Sequence, residues 1–223
     1  MKLRRAKAFT LIELLLVIAI IVVLAALIIP GIIIEPHHGP TSRMSCMNNQ
    51  KQIALGLYVW MSDNDNKLPW QVSTNDGGAE ELISNGQAVS QFEPVTSVLK
   101  SPQVFVCPSD KVKSMAPDTG SLTKSNISYF VNVDTTMTNG ATNILTGDRH
   151  LQVANNPVRP GLFVYTNGMR MDWTDELHRQ ANFSRLGVIA FSDCHVESVT
   201  VHKNELTDLF NRQNVASERL LVP

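Results

Sequence analysis

Hydrophobic and polar residues are distributed most unevenly at the N-terminus. From Leu14 to Ile34, 21 consecutive residues carry no charge and are almost all apolar. As a helix, this run is about 30 Å long, which matches the hydrocarbon core of a bilayer. It also exceeds the roughly 7 to 15 apolar residues of a secretory signal peptide. The pattern therefore predicts a transmembrane helix over residues 9–34, in which Pro30 marks a kink.

The charges that flank this run predict its orientation. Four basic residues precede it, Lys2, Arg4, Arg5 and Lys7, whereas Glu35, Pro36 and two histidines follow it. The positive-inside rule then places the N-terminus in the cytoplasm. We predict a single-pass protein of the cytoplasmic (inner) membrane, with its remaining residues in the periplasm or outside the cell.

Proline and glycine interrupt the chain directly after the apolar run. Pro36 and Pro40 disfavour a helical conformation for the residues before them, and Gly39 adds conformational freedom. A hinge is therefore expected over residues 35–41, followed by a head domain over residues 42–223. This head contains about 185 residues, which is enough for one domain with its own core.

A second helix is expected to begin at Thr41 or Ser42, where a hydroxyl group can cap it. Apolar side chains then recur at helical spacing, at Ile53, Leu57, Trp60 and Met61. The solvent-facing candidates are Asn49, Lys51 and Gln52. The periodicity predicts a helix that packs against the rest of the head.

The second half of the chain contains short runs that are typical of strands. Runs rich in β-branched and aromatic residues predict strands at 104–106, 127–133 and 162–166, and an antiparallel hairpin over 187–201. Residues 204–212 predict a short amphipathic helix, and the polar stretches 114–126 and 134–148 predict long surface loops. The predicted fold class is α+β, with a packing helix and a small antiparallel sheet.

The charge balance argues against one class of partner. The chain has 19 basic and 20 acidic residues, and four of the basic residues lie within the first eight positions. The part that follows is therefore acidic, whereas binding to phosphates requires a basic surface. We expect no nucleic-acid partner.

Glu13 is the single acid at the edge of the apolar run. A carboxylate in this position costs a few kcal/mol unless it reaches the headgroups or meets a positive charge. One alternative is a side chain that extends to the interface. The other is an ion pair with another chain, which is stronger where the dielectric constant is low.

The residues around Glu13 carry a family resemblance. The segment Lys7-Ala8-Phe9-Thr10-Leu11-Ile12-Glu13-Leu14 strongly resembles the processing signal of type IV pilins and type II secretion pseudopilins. The resemblance implies that a prepilin peptidase removes residues 1–8 by cutting between Ala8 and Phe9, and that Phe9 is then N-methylated. It also implies that Glu13 pairs with the N-terminal amine of a neighbouring subunit during assembly. The implied partners are copies of this chain or related pilins, and an inner-membrane assembly platform. Ala8 stands where the family usually has glycine.

Two further segments resemble a planctomycete-type group of pseudopilin-like proteins. They are the Cys46-x-Asn-Asn-x-Lys-Gln-Ile segment and Phe105-x-Cys107-Pro-Ser-Asp. The shared cysteines imply a disulfide between Cys46 and Cys107, which leaves Cys194 free or as a competing partner. The group also has a C-terminal His-x9-Asp-Gly signature, but here Cys194 replaces the glycine and Phe183 replaces the histidine. The resemblance therefore assigns no role to this region.

The alternative function is a membrane-tethered domain that binds a ligand or metal, or that has enzymatic activity. Its best candidates are His178, Asp193 and His195, with Cys194 as a further metal ligand. Asp63 and Asp65 match only the first two positions of a calcium loop and equally suit a turn that ends a helix. His37 and His38 have no third ligand nearby in the sequence. We predict no catalytic residue, cofactor or metal ion.

Overall fold

The computed structural model describes residues 10–33, 40–137, 143–174, 178, 185–200, 205–213 and 215–223. The predicted leader, its cleavage site at Ala8 and Phe9, and most of the predicted hinge lie outside these residues. The chain divides into two compact units, Met1–His37 and His38–Pro223.

The described residues contain both α-helices and β-strands. The helices are α1 (Leu11–Ile33), α2 (Pro40–Ser62), α3 (Val89–Phe92) and α4 (Glu205–Arg212). The strands are β1 (Tyr129–Asn132), β2 (Ile144–Asp148), β3 (Leu151–Val153), β4 (Asn156–Pro157), β5 (Gly161–Thr166), β6 (Met171–Trp173), β7 (Leu186–Phe191), β8 (Val196–Thr200) and β9 (Ser217–Val222). These elements confirm the predicted α+β class.

The first unit contains α1, whose described side chains are mostly solvent-exposed apolar groups. Among the residues that the structure describes, no helix is both long enough and apolar enough to cross a bilayer. The transmembrane helix expected over residues 9–34 therefore stays a prediction.

Two antiparallel sheets form the centre of the second unit. In the described part of the chain, the larger sheet has six strands in the order β5-β9-β1-β2-β7-β8, and the smaller has the order β4-β3-β6. Strands β7 and β8 pair from Leu186 opposite Thr200 to Ala190 opposite Val196. The predicted hairpin is therefore confirmed.

Both faces of the larger sheet are covered. Because successive side chains of a strand point to opposite faces, Val188 and Ala190 of β7 join the core that includes α2, while Ile189 and Phe191 join the core that includes α4. All six residues of β7 are buried. This explains why β7 has a continuous apolar sequence instead of an alternating one.

Helix α2 covers one face as predicted. Ile53, Leu57, Trp60 and Met61 are all buried in the first core. The helix ends in a left-handed turn, with Asp65 at φ 53° and Asn66 at φ 59°. The amide of Asn66 donates to the carbonyl of Met61. This turn supports the interpretation of the Asp63–Asp65 segment as a helix terminator.

Two predictions about the sheet are wrong. Residues 102–105 form a 3₁₀ turn that begins with Pro102, and not a strand at 104–106. Val104 and Phe105 are buried in the core, where the Phe105 ring lies edge-on to Phe92 at 5.6 Å between centroids. A short apolar run does not distinguish such a buried turn from a strand. Residues 144–148 were expected in a loop but form the central strand β2, which is buried throughout.

Glu218 of β9 is a buried carboxyl, and it makes the stability of the head depend on pH. Burial raises its pKa from 4.5 to about 7, and the charge of Asp134 acts in the same direction. The folded state thus favours the protonated form of Glu218. The contribution of this protonation to the stability of the head is complete below pH 4.5 and is lost as the pH rises through about 7.

We expect Glu218→Gln to remove this pH dependence. The elevated pKa corresponds to at most about 3 kcal/mol, so the variant should be more stable than the parent chain at pH 8 and nearly equal to it at pH 4.5. Denaturant unfolding at both pH values measures the difference. Parallel stability curves for the two proteins would contradict the assignment.

Candidate functional site

The first turn of α1 contains the acid that the sequence singled out. One oxygen of the Glu13 carboxylate, Oε2, accepts hydrogen bonds from the Thr10 backbone N–H at 2.8 Å and from the Thr10 hydroxyl at 2.7 Å. The Glu13 N–H in turn approaches the Thr10 hydroxyl oxygen at 3.4 Å. This is the reciprocal arrangement of a capping box, in which a hydroxyl residue and a glutamate three positions later satisfy the free N–H groups of a helix start.

The capping box gives Glu13 a partner within its own chain. Sequence reasoning missed it, although the signal was present: Thr10-Leu-Ile-Glu13 has the Thr-x-x-Glu spacing of the motif. The same carboxylate can therefore position the helix start and carry a charge at the N-terminus. The two roles are separable by substitution, because glutamine also completes a capping box.

A second concentration of polar side chains lies inside the head, where α2 meets the sheet. The Asp148 carboxylate at the end of β2 is fully buried. Its Oδ2 accepts the Val188 N–H at 2.7 Å, and its Oδ1 lies 3.4 Å from Nε2 of Gln50. Gln50 Nε2 also donates to the Val188 carbonyl at 2.9 Å. Gln50 and Asp148 thereby tie α2 to β2 and β7.

His178 joins this cluster by both of its ring nitrogens. Nε2 lies 3.4 Å from Asp148 Oδ2 and 3.6 Å from the sulfur of Cys107, and Nδ1 lies 3.1 Å from the Ser109 hydroxyl. The side chains of Cys107, Ser109, Asp148 and His178 are all buried. We refer to Gln50, Ser109, Asp148 and His178 as the buried polar cluster.

A disulfide joins Cys46 of α2 to Cys107 beside the buried polar cluster. One turn after Cys46, the Asn49 amide donates to the carbonyls of Gln103 and Val106 at 3.3 and 3.0 Å. Asn49 was expected to face solvent, but it fastens α2 to the segment before Cys107. The disulfide and the Asn49 hydrogen bonds therefore act on the same pair of segments.

Asp110 and Arg149 form a two-pronged ion pair next to the buried polar cluster. Arg149 Nε and Nη2 donate to the two Asp110 oxygens at 2.7 and 3.0 Å. Burial alone raises the pKa of Asp110, but the hydrogen bond and charge of Arg149 hold that pKa below its ordinary value. Because Ser109 and Asp110 are adjacent, as are Asp148 and Arg149, the pair aligns the loop after Cys107 with the end of β2.

The comparison with protein families concerns the N-terminus. Residues 3–29 match the model described as the prokaryotic N-terminal methylation motif. This match covers most of the basic leader, the predicted cleavage site and the capped first turn of α1. The chain carries the prepilin-type methylation motif of type IV pilin-like proteins. Comparison with curated proteins and with solved structures gives no match.

The structure separates the head residues that were the candidates for a second site. His178 belongs to the buried polar cluster, whereas Asp193 and His195 contact each other at the turn between β7 and β8. There the His195 ring stacks on Phe191 at 4.1 Å between centroids, and its Nε2 lies 3.3 Å from Glu197. The two places therefore offer distinct chemistry.

At the β7–β8 turn, Cys194 occupies a position that favours glycine. Its φ is 65°, in the left-handed region, and its N–H donates to the Phe191 carbonyl. The connection is thus a turn followed by a left-handed residue, not the two-residue type I′ turn of a minimal hairpin. Lys51 of α2 donates to the Cys194 carbonyl at 2.6 Å and holds it in place. Burial raises the pKa of the Cys194 thiol, which disfavours the reactive thiolate.

Cys194→Gly should leave the head about 1 kcal/mol more stable than Cys194→Ala, because a side chain in the left-handed region costs roughly that much. Cys194→Ala is the matched control, since it removes the thiol but keeps the backbone strain. Thermal or denaturant unfolding of both variants measures the effect. An equal gain in the two would assign the change to the thiol.

The order Ser109–His178–Asp148 is that of an acid–base relay, but its burial favours a structural role. A nucleophilic hydroxyl must touch its substrate, and Ser109 is only 7% exposed. Each polar atom of the relay is instead within reach of another polar atom of the cluster, as is usual for polar groups in a protein core. The arrangement connects α2, β2, β7 and the loop after Cys107.

Proposed function

We propose that this chain is a structural subunit of a type IV pilus-like or type II secretion pseudopilus filament. The observation that carries the proposal is the methylation motif at residues 3–29, which includes Phe9, the proposed processing site, and Glu13 in the first turn of α1. Prepilin peptidase removes residues 1–8, and Phe9 receives a methyl group. The proposed role is mechanical, without catalysis.

The apolar segment serves two purposes in this proposal. Before assembly, residues 9–34 anchor the chain in the inner membrane with the head on the outer side. During assembly, an inner-membrane platform transfers this segment into the filament, where the apolar surfaces of neighbouring helices bury one another. The exposed apolar side chains along Leu11–Leu24 support such burial.

The assembly charge follows from the position of Glu13. Cleavage before Phe9 creates an amine four residues away from Glu13 in sequence, and the same amine is present on every neighbouring subunit. A carboxylate and an amine that meet between apolar helices attract each other more strongly than in water. The proposed contact joins Glu13 of one subunit to the Phe9 amine of the next.

The tethered-enzyme alternative receives less support. Its candidate residues lie in two separate places, and the buried polar cluster is used in packing. Replacing each candidate singly, as His178→Gln and His195→Gln, should therefore leave processing and assembly intact wherever the head still folds.

Mass spectrometry of the protein extracted from membranes tests the proposal most directly. We expect a mature chain that begins at Phe9 and carries one additional methyl group. Ala8→Gly should be processed at the same bond, whereas a bulky residue in Ala8→Leu should leave the leader attached. An unprocessed Met1 start in the parent chain, or a cut beyond residue 30, would overturn the proposal.

A further inference from the structure

Three potential metal ligands meet beside the buried polar cluster. Among the described residues, Cys46, Cys107 and His178 are the one group whose ligand atoms all lie within 4.8 Å of one another. Cys46 belongs to α2, Cys107 to the loop after the 102–105 turn, and His178 lies between β6 and β7 in the sequence; all three are buried. The disulfide currently uses both sulfur atoms.

The spacing of these atoms suits a tetrahedral zinc ion once the disulfide is opened. Zinc lies about 2.3 Å from thiolate sulfur and about 2.0 to 2.1 Å from histidine nitrogen, which places sulfur and nitrogen ligands roughly 3.5 Å apart. Cys107 Sγ and His178 Nε2 are 3.6 Å apart. Two thiolates on one zinc ion are about 3.8 Å apart, so the bonded sulfur atoms must separate by reduction before they can both bind the ion.

The surroundings of His178 match those of a metal-binding histidine. Such a residue commonly uses one ring nitrogen for the metal and the other for a hydrogen bond that orients the ring. Ser109 lies 3.1 Å from Nδ1, so a proton on Nδ1 can be donated to the hydroxyl oxygen while Nε2 faces the sulfur atoms. Asp148 Oδ2 also lies 3.4 Å from Nε2 but does not belong to this group of three ligands, so the fourth zinc position is left to a water molecule.

We propose that the reduced chain binds one Zn²⁺ through Cys46, Cys107 and His178, so that zinc and the disulfide are mutually exclusive links between α2 and the segment of Cys107. A dithiol donor reduces the disulfide with two electrons and two protons and becomes a disulfide itself. Zinc then displaces the two thiol protons. The inference does not depend on filament assembly, because it concerns the head alone.

The two links belong to different redox conditions. Cysteines are kept reduced in the cytoplasm and are oxidised after export. In the exported topology proposed above, on which this order of events rests, the zinc-bound form would precede oxidation, when Cys46, Cys107 and the third cysteine, Cys194, could otherwise pair incorrectly. Zinc would hold the correct two thiols beside each other and leave Cys194 outside the site.

Metal analysis of the full-length protein in detergent micelles tests the proposal. The chain is unfolded with a phosphine reductant, refolded with Zn²⁺ or Co²⁺, and desalted before elemental analysis and absorption spectroscopy. We expect one zinc per reduced chain, none in the oxidised chain, and a thiolate-to-cobalt absorption band. Ser109→Ala should weaken zinc binding about 10- to 100-fold, and His178→Gln at least as much.

Two substitutions serve as matched controls. Cys194→Ser removes the other cysteine, and His195→Gln removes an exposed histidine; both should bind one zinc as the parent chain does. Retention of full affinity in His178→Gln, or loss of zinc in Cys194→Ser, would overturn the assignment. A reduced chain that folds only with Zn²⁺ supports the site, whereas a reduced chain that binds no Zn²⁺, folded or not, contradicts it.

Discussion

Glu13→Gln is expected to abolish filament assembly while leaving the first turn of α1 intact. Glutamine can still accept the hydrogen bonds of Thr10, because it replaces glutamate in capping boxes. It cannot neutralise the Phe9 amine of a neighbouring subunit. Leaving a buried charge without its partner costs about 3 to 5 kcal/mol, which lowers the association constant for each contact by a factor of roughly 150 to 5,000.

Two further variants separate the charge of Glu13 from its capping role. Glu13→Ala removes both, and should also fail to assemble. Thr10→Ala removes the hydroxyl that caps α1 but keeps the carboxylate, and a lost cap costs only about 1 kcal/mol. We therefore expect Thr10→Ala to form filaments at or near the parent level.

The readouts are filament yield after shearing, electron microscopy, and the mass of the mature N-terminus. All three variants should be inserted, cleaved and methylated, so that a loss of filaments reports on assembly alone. Normal filaments from Glu13→Gln would show that Glu13 acts only as a helix cap. A loss of filaments in Thr10→Ala, with normal filaments in Glu13→Gln, would lead to the same conclusion.

The sequence predicted those elements whose burial follows one regular period. Helix α2 has its apolar residues at helical spacing, and α4 buries Leu206 and Phe210 as its amphipathic pattern indicates. The β7–β8 hairpin was also recognisable, because β7 is uninterruptedly apolar. In each case the local pattern and the tertiary burial agree.

Strands that bury polar residues escaped the sequence analysis. In β2, Thr146 and Asp148 are fully buried, since the Thr146 hydroxyl donates to the Phe130 carbonyl and Asp148 joins the buried polar cluster. In β9, the buried Glu218 interrupts the apolar pattern. Hydrogen-bond partners that are distant in sequence compensate these groups, and a local pattern does not contain them.

The two candidate sites also differ in whether their residues are contiguous in the sequence. The methylation motif is a contiguous segment, so Ala8, Phe9 and Glu13 could be identified from the sequence, and the match at residues 3–29 supports the motif. The buried polar cluster combines side chains that are distant in sequence, such as Gln50 and Asp148, which are 98 residues apart. Sequence reasoning selected His178 as a candidate ligand but could not find Gln50, Ser109 or Asp148 as its neighbours.

Removing the Cys46–Cys107 disulfide should cause the largest loss of head stability. The two cysteines are 61 residues apart, and a cross-link that closes a loop of this length restricts the unfolded chain by about 4 kcal/mol. We expect Cys46→Ser combined with Cys107→Ser to lower the free energy of unfolding by roughly this amount, as measured by denaturant unfolding with a metal chelator present. Cys194→Ser is the control and should stay within about 1 kcal/mol of the parent chain.

The folded head should nevertheless survive this loss. Asn49 still joins α2 to the carbonyls of Gln103 and Val106, and Gln50 still joins α2 to the Val188 carbonyl. These hydrogen bonds act in the folded state, whereas the disulfide acts chiefly on the unfolded chain. The double variant should therefore keep the near-ultraviolet circular dichroism of the parent and unfold at a lower denaturant concentration. An unchanged midpoint would mean that the unfolded chain already holds the two segments together, and loss of the folded signal would mean that the Asn49 and Gln50 contacts depend on the disulfide.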